Sequence, residues 1–254
     1  MLSFSEAQLS AWYGALFWPL VRVLALFSTA PLLSHRAIPL RLKLALAIGV
    51  SLILAPNLAT PGVLDVLSST GLALLLHNIL IGALIGFTVR LVFAALELAG
   101  EVIGLQMGLS YAGYFNPASG QTQNAIGSFM SLLALLMFIA IDGHLWVLHA
   151  VAESFRLYPL TQSPTLPADF MSLARMGTDV FAFGLAIALP FVAVMLLVNI
   201  VLGVLARVAP QLNIFAVGFP LTILVGLSLV FLLLPYLETP LRAALERSIA
   251  MWIR

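Results

Sequence analysis

DVFAFGLAIALPFVAVMLLVNIVLGVLARVAPQLNIFAVGFPLTILVGLSLVFLLLPYLE, residues 179–238, holds only three charges, Asp179, Arg207 and Glu238. The apolar runs on either side of Arg207 are each longer than the roughly 20 residues an α-helix needs to cross a bilayer. They are continuous and rich in Leu, Val and Ala, without the period-two alternation of an outer-membrane strand, so they read as helices. Between them, Ala209-Pro210-Gln211-Leu212-Asn213 supplies a helix breaker followed by a capping residue, the pattern of a helical hairpin turn.

The rest of the chain extends this reading. Of 254 residues 62% are hydrophobic and 8% charged, against roughly 45–50% and 25% in an ordinary soluble domain, and a water-exposed surface cannot be assembled from so few charges. No charge falls between Lys43 and Asp65. Apolar segments are expected at about 12–33 (interrupted by Arg22), 44–64, 72–98, 125–141 (continuing through Asp142-Gly143-His144 to about 151), 180–206 and 212–237. Residues 238–254 place Leu241, Leu245, Ile249 and Trp252 three or four apart with Arg242, Glu246 and Arg247 between them, an amphipathic helix. The fold class is therefore all-α: one polytopic membrane domain, residues 1–254, of about six long apolar helices arranged as hairpins, with a C-terminal amphipathic helix.

Charge placement sets further expectations. The basic stretch from His35-Arg36 to Arg41 and Lys43 should face the cytoplasm. Alternation over six spans would then leave Arg242, Arg247 and Arg254 outside, so either one segment does not cross or hydropathy overstates the spans. The N-terminus has no basic residue before Arg22, which argues against a cleaved signal peptide. A net charge of +1 gives no basic field for nucleic acid, and the absence of Cys removes disulfides, thiolate metal sites and cysteine nucleophiles.

Few residues suggest chemistry. There is no P-loop or dinucleotide fingerprint, so no cofactor is expected. His144, His149 and Glu153 do not share one helix face, and Ser128 with Asp142 lacks a His partner and an oxyanion hole, so neither a metal site nor a hydrolase is indicated. Arg90, Glu97 and Glu101 fall within about 20° of one helical stripe. They read as buried charges in a structural ion pair, with a proton or ion relay as the sharper reading; that relay motivates an ion-coupled secondary transporter as the rival function. Insertion of the third segment is near break-even, its apolar residues offset by Arg90, His77 and Asn78, so protein neighbours should shelter it. Gly82 and Gly86, then Gly100, Gly104 and Gly108, recur every fourth residue and offer a bare face for helix packing. From Glu101 the text EVIGLQMGLSYAGYFNPASGQTQN reads as a helix end running into an uncharged polar loop.

Three stretches together resemble the FliR family, a core membrane component of the flagellar type III protein export apparatus with relatives in injectisomes. They are VRVLALFSTAPLLSHRAIPLRLK from Val21, EVIGLQMGLSYAGYFNPASG from Glu101, and ARVAPQLNIFAVGFPL from Ala206. Asn116 stands where flagellar members more often have Asp. The resemblance implies a non-enzymatic subunit of an export gate in the bacterial inner membrane. It would stand in the flagellar basal body, assembled with FliP-like, FliQ-like and FlhB-like subunits, contacting lipid and passing unfolded proteins. It also implies a FliP-like part at about 1–160, a FliQ-like hairpin and tail at about 175–254, and a plug loop matching Tyr111, Tyr114, Phe115, Asn116 and Pro117. The residues agree with a plug: the aromatics give bulk without charge, and Gly108, Gly113 and Gly120 give hinge freedom. An ordinary surface loop remains the alternative. The turn at Pro210, Gln211 and Asn213 would face the gate's cytoplasmic entrance.

Overall fold

A computed structural model of the chain describes residues 6–35, 38–58, 68–109, 124–160, 170–211 and 213–253, and every regular element among them is helical. In chain order these are α1 (Glu6–Thr29), α2 (Pro31–Ser34), α3 (Leu40–Leu54), α4 (Ser69–Gln106), α5 (Ala125–Ala140), α6 (Gly143–Leu157), α7 (Phe170–Val208), α8 (Ile214–Leu233) and α9 (Glu238–Ala250), with short 3-10 turns after α3 and α8.

Among the described residues four stretches are long and apolar enough to cross a membrane: Leu40–Asn57, Ser69–Gln106, Ala174–Val208 and Ala216–Tyr236. The pair α5 and α6 makes five if it is one broken span. The protein is thus a multi-pass membrane protein, and six apolar segments is an approximate count of its membrane-length helices. Within α1, a 24-residue helix, the described apolar part is Gly14–Thr29. The fourth segment is interrupted at Asp142, whose φ of 57° puts it in the left-handed region; a short polar side chain tolerates that conformation better than a branched one. α7 begins ten positions earlier than hydropathy suggests and holds Pro190 in its interior.

The chain divides into two compact units. The first comprises Met1–Arg90, Asp142–Ala174 and Leu245–Arg254. Its apolar core contains Trp18, Leu74, Phe155 and Leu160, with Phe17, Leu54, Leu58 and Leu75 packed around them. α1 lies close to α4 because Gly82 and Gly86 lack side chains: a Cβ at Gly82 would strike the Arg22 carbonyl and Ala25, and one at Gly86 would strike Thr29 and the backbone of Leu26 and Ala30. α3 packs along α1 through Ala47 and Ser51, its only buried residues.

Arg22 is the polar centre of this unit. It is 0% exposed, and its guanidinium fork donates Nε to Asn78 Oδ1 at 2.9 Å, one terminal nitrogen to Ser154 Oγ at 3.0 Å and the other to the Tyr158 carbonyl at 3.0 Å. The Phe155 ring lies 3.9 Å from the guanidinium carbon, a cation–π contact. One side chain thereby ties α1 to α4, to α6 and to the turn after α6. Asn78 and Ser154 are held in turn by the Leu74 and Val151 carbonyls.

The second unit comprises Leu91–Ile141 and Arg175–Ala244. Its core is a stripe of Ala99 and Ile103 on α4 with Met107 just past its end, set against Ile126 and Met130 of α5, Ala188, Phe191 and Met195 of α7, Val230 of α8, and Leu237 just after the 3-10 turn that follows α8. The stripe explains why α4 runs on to Gln106 instead of stopping near Leu98. Gly100 and Gly104 each weaken a helix by about 1 kcal/mol, but burial of Ile103 and Met107 recovers about 1.5–3 kcal/mol per large side chain. Met107 fits over the bare Cα of Gly226, and Thr222 Oγ1 lies 3.4 Å from the Met107 carbonyl that α4 leaves unpaired.

Arg22→Lys should destabilise the protein by about 2–4 kcal/mol, because a buried ammonium reaches only part of what the fork satisfies. Chemical unfolding in detergent, followed through buried Trp18, measures it; an unchanged midpoint would show that Arg22 does not hold the unit together.

Candidate functional site

The polar, glycine-rich stretch after α4 is flanked by two described ends. On the first side α4 ends in a turn: the Met107 N–H donates to the Ile103 carbonyl, Gly108 to Leu105, and Leu109 to Gly104. Gly108 has φ of 79°, a conformation costly for any residue with a Cβ. On the second side the chain re-emerges at Asn124, immediately before α5.

Asn124 is tied back to the helix the chain has just left. Its N–H donates to Glu101 Oε1 at 2.9 Å, and its side-chain Nδ2 donates to Oε2 at 2.8 Å and to the Glu101 carbonyl at 3.1 Å. Its Oδ1 accepts from the Gly127 N–H at 2.7 Å, capping α5. With both carboxylate oxygens accepting, Glu101 acts as an anionic acceptor, the stronger kind of hydrogen-bond partner. Glycines make the approach possible. A Cβ at Gly104 would occupy the place of the Asn124 amide, one at Gly100 would meet the Gly127 Cα and Ile126, and one at Gly127 would meet the Glu101 carboxylate. Leu109 and Asn124 are therefore both held at one end of a single helix.

Other sequence-selected residues fall as follows. Tyr111, Gly113, Tyr114, Phe115, Asn116, Pro117 and Gly120 lie outside the described residues. Within this single chain Arg90 is exposed, and Glu97 and Glu101 are half-buried. The buried stripe of α4 runs through Ile85, Val89, Val92, Leu96 and Ala99, and Arg90 stands off it. Among the described residues the charge that is fully buried is Arg22, visible in the sequence as a lone cation in an apolar run but without any sign of its three acceptors. Asp179 is exposed, and Glu153 pairs with Arg156 at 3.1 Å.

The α7–α8 turn is exposed at Pro210, Gln211 and Asn213. Asn213 Oδ1 accepts from the Ala216 N–H at 3.3 Å, so it caps α8. Arg207 occupies the last turn of α7, where a cation favours the helix dipole.

Comparison with known proteins adds to this geometry. Residues 13–248 match the family model described as bacterial export proteins, family 1. The flagellar biosynthetic protein FliR of Pectobacterium carotovorum subsp. carotovorum is 44% identical over 238 residues, covering 92% of this chain and 90% of its own. FliR of Escherichia coli (strain K12) is 44% identical over 235 residues with the same coverage. FliR of Bacillus subtilis (strain 168) is 30% identical over 209 residues, covering 81% and 80%.

The anchor makes a chemical prediction. Glu101→Gln sets an NH2 against the Asn124 NH2, and Asn124→Asp sets two carboxylates together, so each should lower stability by about 1.5–3 kcal/mol. Combining them restores the side-chain pair: the Gln NH2 donates to the Asp carboxylate, the Gln side-chain carbonyl accepts the backbone N–H, and the Asp still caps α5, although the bond from residue 124 to the main-chain carbonyl of residue 101 is lost. Thermal unfolding of the four proteins should show the double variant losing at least about 1 kcal/mol less than the sum of the two single losses. Additive losses would contradict the arrangement.

Proposed function

The chain belongs to family 1 of the bacterial export proteins, and on that premise we propose that it is a wall and plug subunit of the flagellar type III protein export gate. It is a structural, non-enzymatic component of the export apparatus. Relatives carrying the name flagellar biosynthetic protein, matching over nine-tenths of their length, are the observation that carries the reading. The gate stands in the bacterial inner membrane at the flagellar basal body, and the subunit assembles there with FliP-like, FliQ-like and FlhB-like partners. Residues at about 1–160 form the FliP-like part and those at about 175–254 the FliQ-like hairpin and tail. The turn at Pro210, Gln211 and Asn213 lies at the entrance for unfolded substrates.

In this reading Tyr111, Tyr114, Phe115, Asn116 and Pro117 close the conduit at rest, with Gly108, Gly113 and Gly120 as hinges. The anchor supports it. A plug must be displaced by a passing chain and then return to the same place, which requires roots that do not move with it. Glu101 and Asn124 supply one such root, and the α4 terminus at Gly108 supplies the other.

Replacing Tyr111, Tyr114 and Phe115 together by Gly should leave assembly with the partner subunits intact and make the resting membrane leaky to small solutes. Ion efflux from cells carrying the complete apparatus, compared with the parent, reads this directly. Unchanged efflux with normal assembly would remove the plug role.

A further inference from the structure

α3 differs from the other long apolar stretches in how little of it the chain itself covers. Of the stretch Leu40–Asn57, 11% is buried. Leu42, Leu44, Leu46, Ile48, Leu52 and Ile53 are exposed, and the Ser51 hydroxyl is already bonded to the Ala47 carbonyl at 2.7 Å. Along this run nothing but hydrocarbon is presented until Asn57. At about 1.5 Å per residue its 18 residues extend about 27 Å, close to the thickness of a hydrocarbon core at about 30 Å.

The opposite end is basic. Arg41 is exposed and Lys43 half-exposed in the first turn of α3. Neither forms an ion pair among the described residues, and the sequence holds no acidic residue between Glu6 and Asp65. Cations in a first helical turn are opposed by the helix dipole, and Pro39, the residue before α3, offers no side-chain cap. The anion that balances these charges must come from outside the segment. A neighbouring protein would have to bring an acidic group alongside an apolar helix, whereas an anionic phospholipid brings acyl chains and a phosphate in one molecule. Long basic side chains reach such a headgroup while their stems stay in hydrocarbon.

We propose that the outer face of α3 is a lipid-facing surface and that Arg41 and Lys43 bind the phosphate headgroup of an anionic phospholipid at its end. Each basic residue near a charged headgroup contributes about fivefold in affinity at moderate ionic strength, and the effect falls with salt. This surface is independent of the plug and goes beyond the gate reading.

The test uses the full chain carrying Leu44→Trp, one turn from Arg41, reconstituted without other export subunits into vesicles of phosphatidylcholine. Brominated phosphatidylglycerol or brominated phosphatidylcholine is added as quencher of the new indole, against the unsubstituted chain as background. Phosphatidylglycerol should be preferred by fivefold or more at low salt, falling toward onefold at high salt and when R41Q and K43Q are added. The salt series on the Leu44→Trp chain reads the site even if the triple variant does not fold. Equal quenching by the two lipids at low salt, or a preference that survives R41Q and K43Q, would overturn the assignment. So would equal quenching combined with loss of an acidic membrane-protein partner from the R41Q/K43Q chain, which would give the anion to a protein.

Discussion

The hydrogen bonds between Glu101 and Asn124 tie the start of α5 to the end of α4 in the second unit. They require the start of α5 to lie against the last turns of α4, and that approach leaves no room for side chains at Gly100, Gly104 and Gly127. Once α5 is seated, Ile126 and Met130 face Ile103 and Met107, and the apolar core closes with α7 and α8. The same contact determines where residues 110–123 rejoin the described structure. Apolar packing alone could slide by a turn along α4; a carboxylate accepting from a specific N–H and a specific amide cannot. Arg22 plays the corresponding part in the first unit, where three directional bonds hold α1, α4 and α6 in register.

Around these two polar centres the surface is unusually apolar. The apolar window of α4 is largely buried within the chain, but those of α7 and α8 are mostly uncovered, with residues such as Phe181, Leu197, Val201, Leu224 and Phe231 exposed. Contiguous apolar surface on this scale marks contact with lipid or with other proteins. In the export-gate reading much of it is shared with neighbouring subunits, so the hydropathy of a helix reports what covers it and not only whether it crosses a bilayer. The single chain is then an incomplete object, with its polar contacts turned inward and its apolar faces outward.

The sequence was legible where a simple physical rule applied alone. Continuous apolar runs announced helices, and Asn213 after Pro210 announced the cap of α8. The spacing of Leu241, Leu245, Ile249 and Trp252 marked the apolar residues that α9 and the turn after it bury, with Ser248 buried beside them. Where two rules competed the reading slipped. Gly100 and Gly104 look like a helix end by propensity, yet burial of their neighbours carries α4 to Gln106. Arg90 looks buried by segment hydropathy, yet helical phase sets it outside the packed stripe. The tie between Glu101 and Asn124 joins residues 23 positions apart, and no spacing rule reaches that far; the glycines at 100, 104 and 127 were its only local sign.

The central claim is that exported chains pass the segment between Gly108 and Asn124. Because the protein has no Cys, a single Tyr114→Cys makes the segment uniquely reactive. An export substrate carrying one Cys and stalled in transit by a folded C-terminal fusion should form a disulfide with Y114C in the complete apparatus, and should not do so with a control Cys at exposed Leu52 on α3. Crosslinking at Leu52 but not at Tyr114, while the stalled substrate still blocks export, would place the conduit elsewhere and contradict the account.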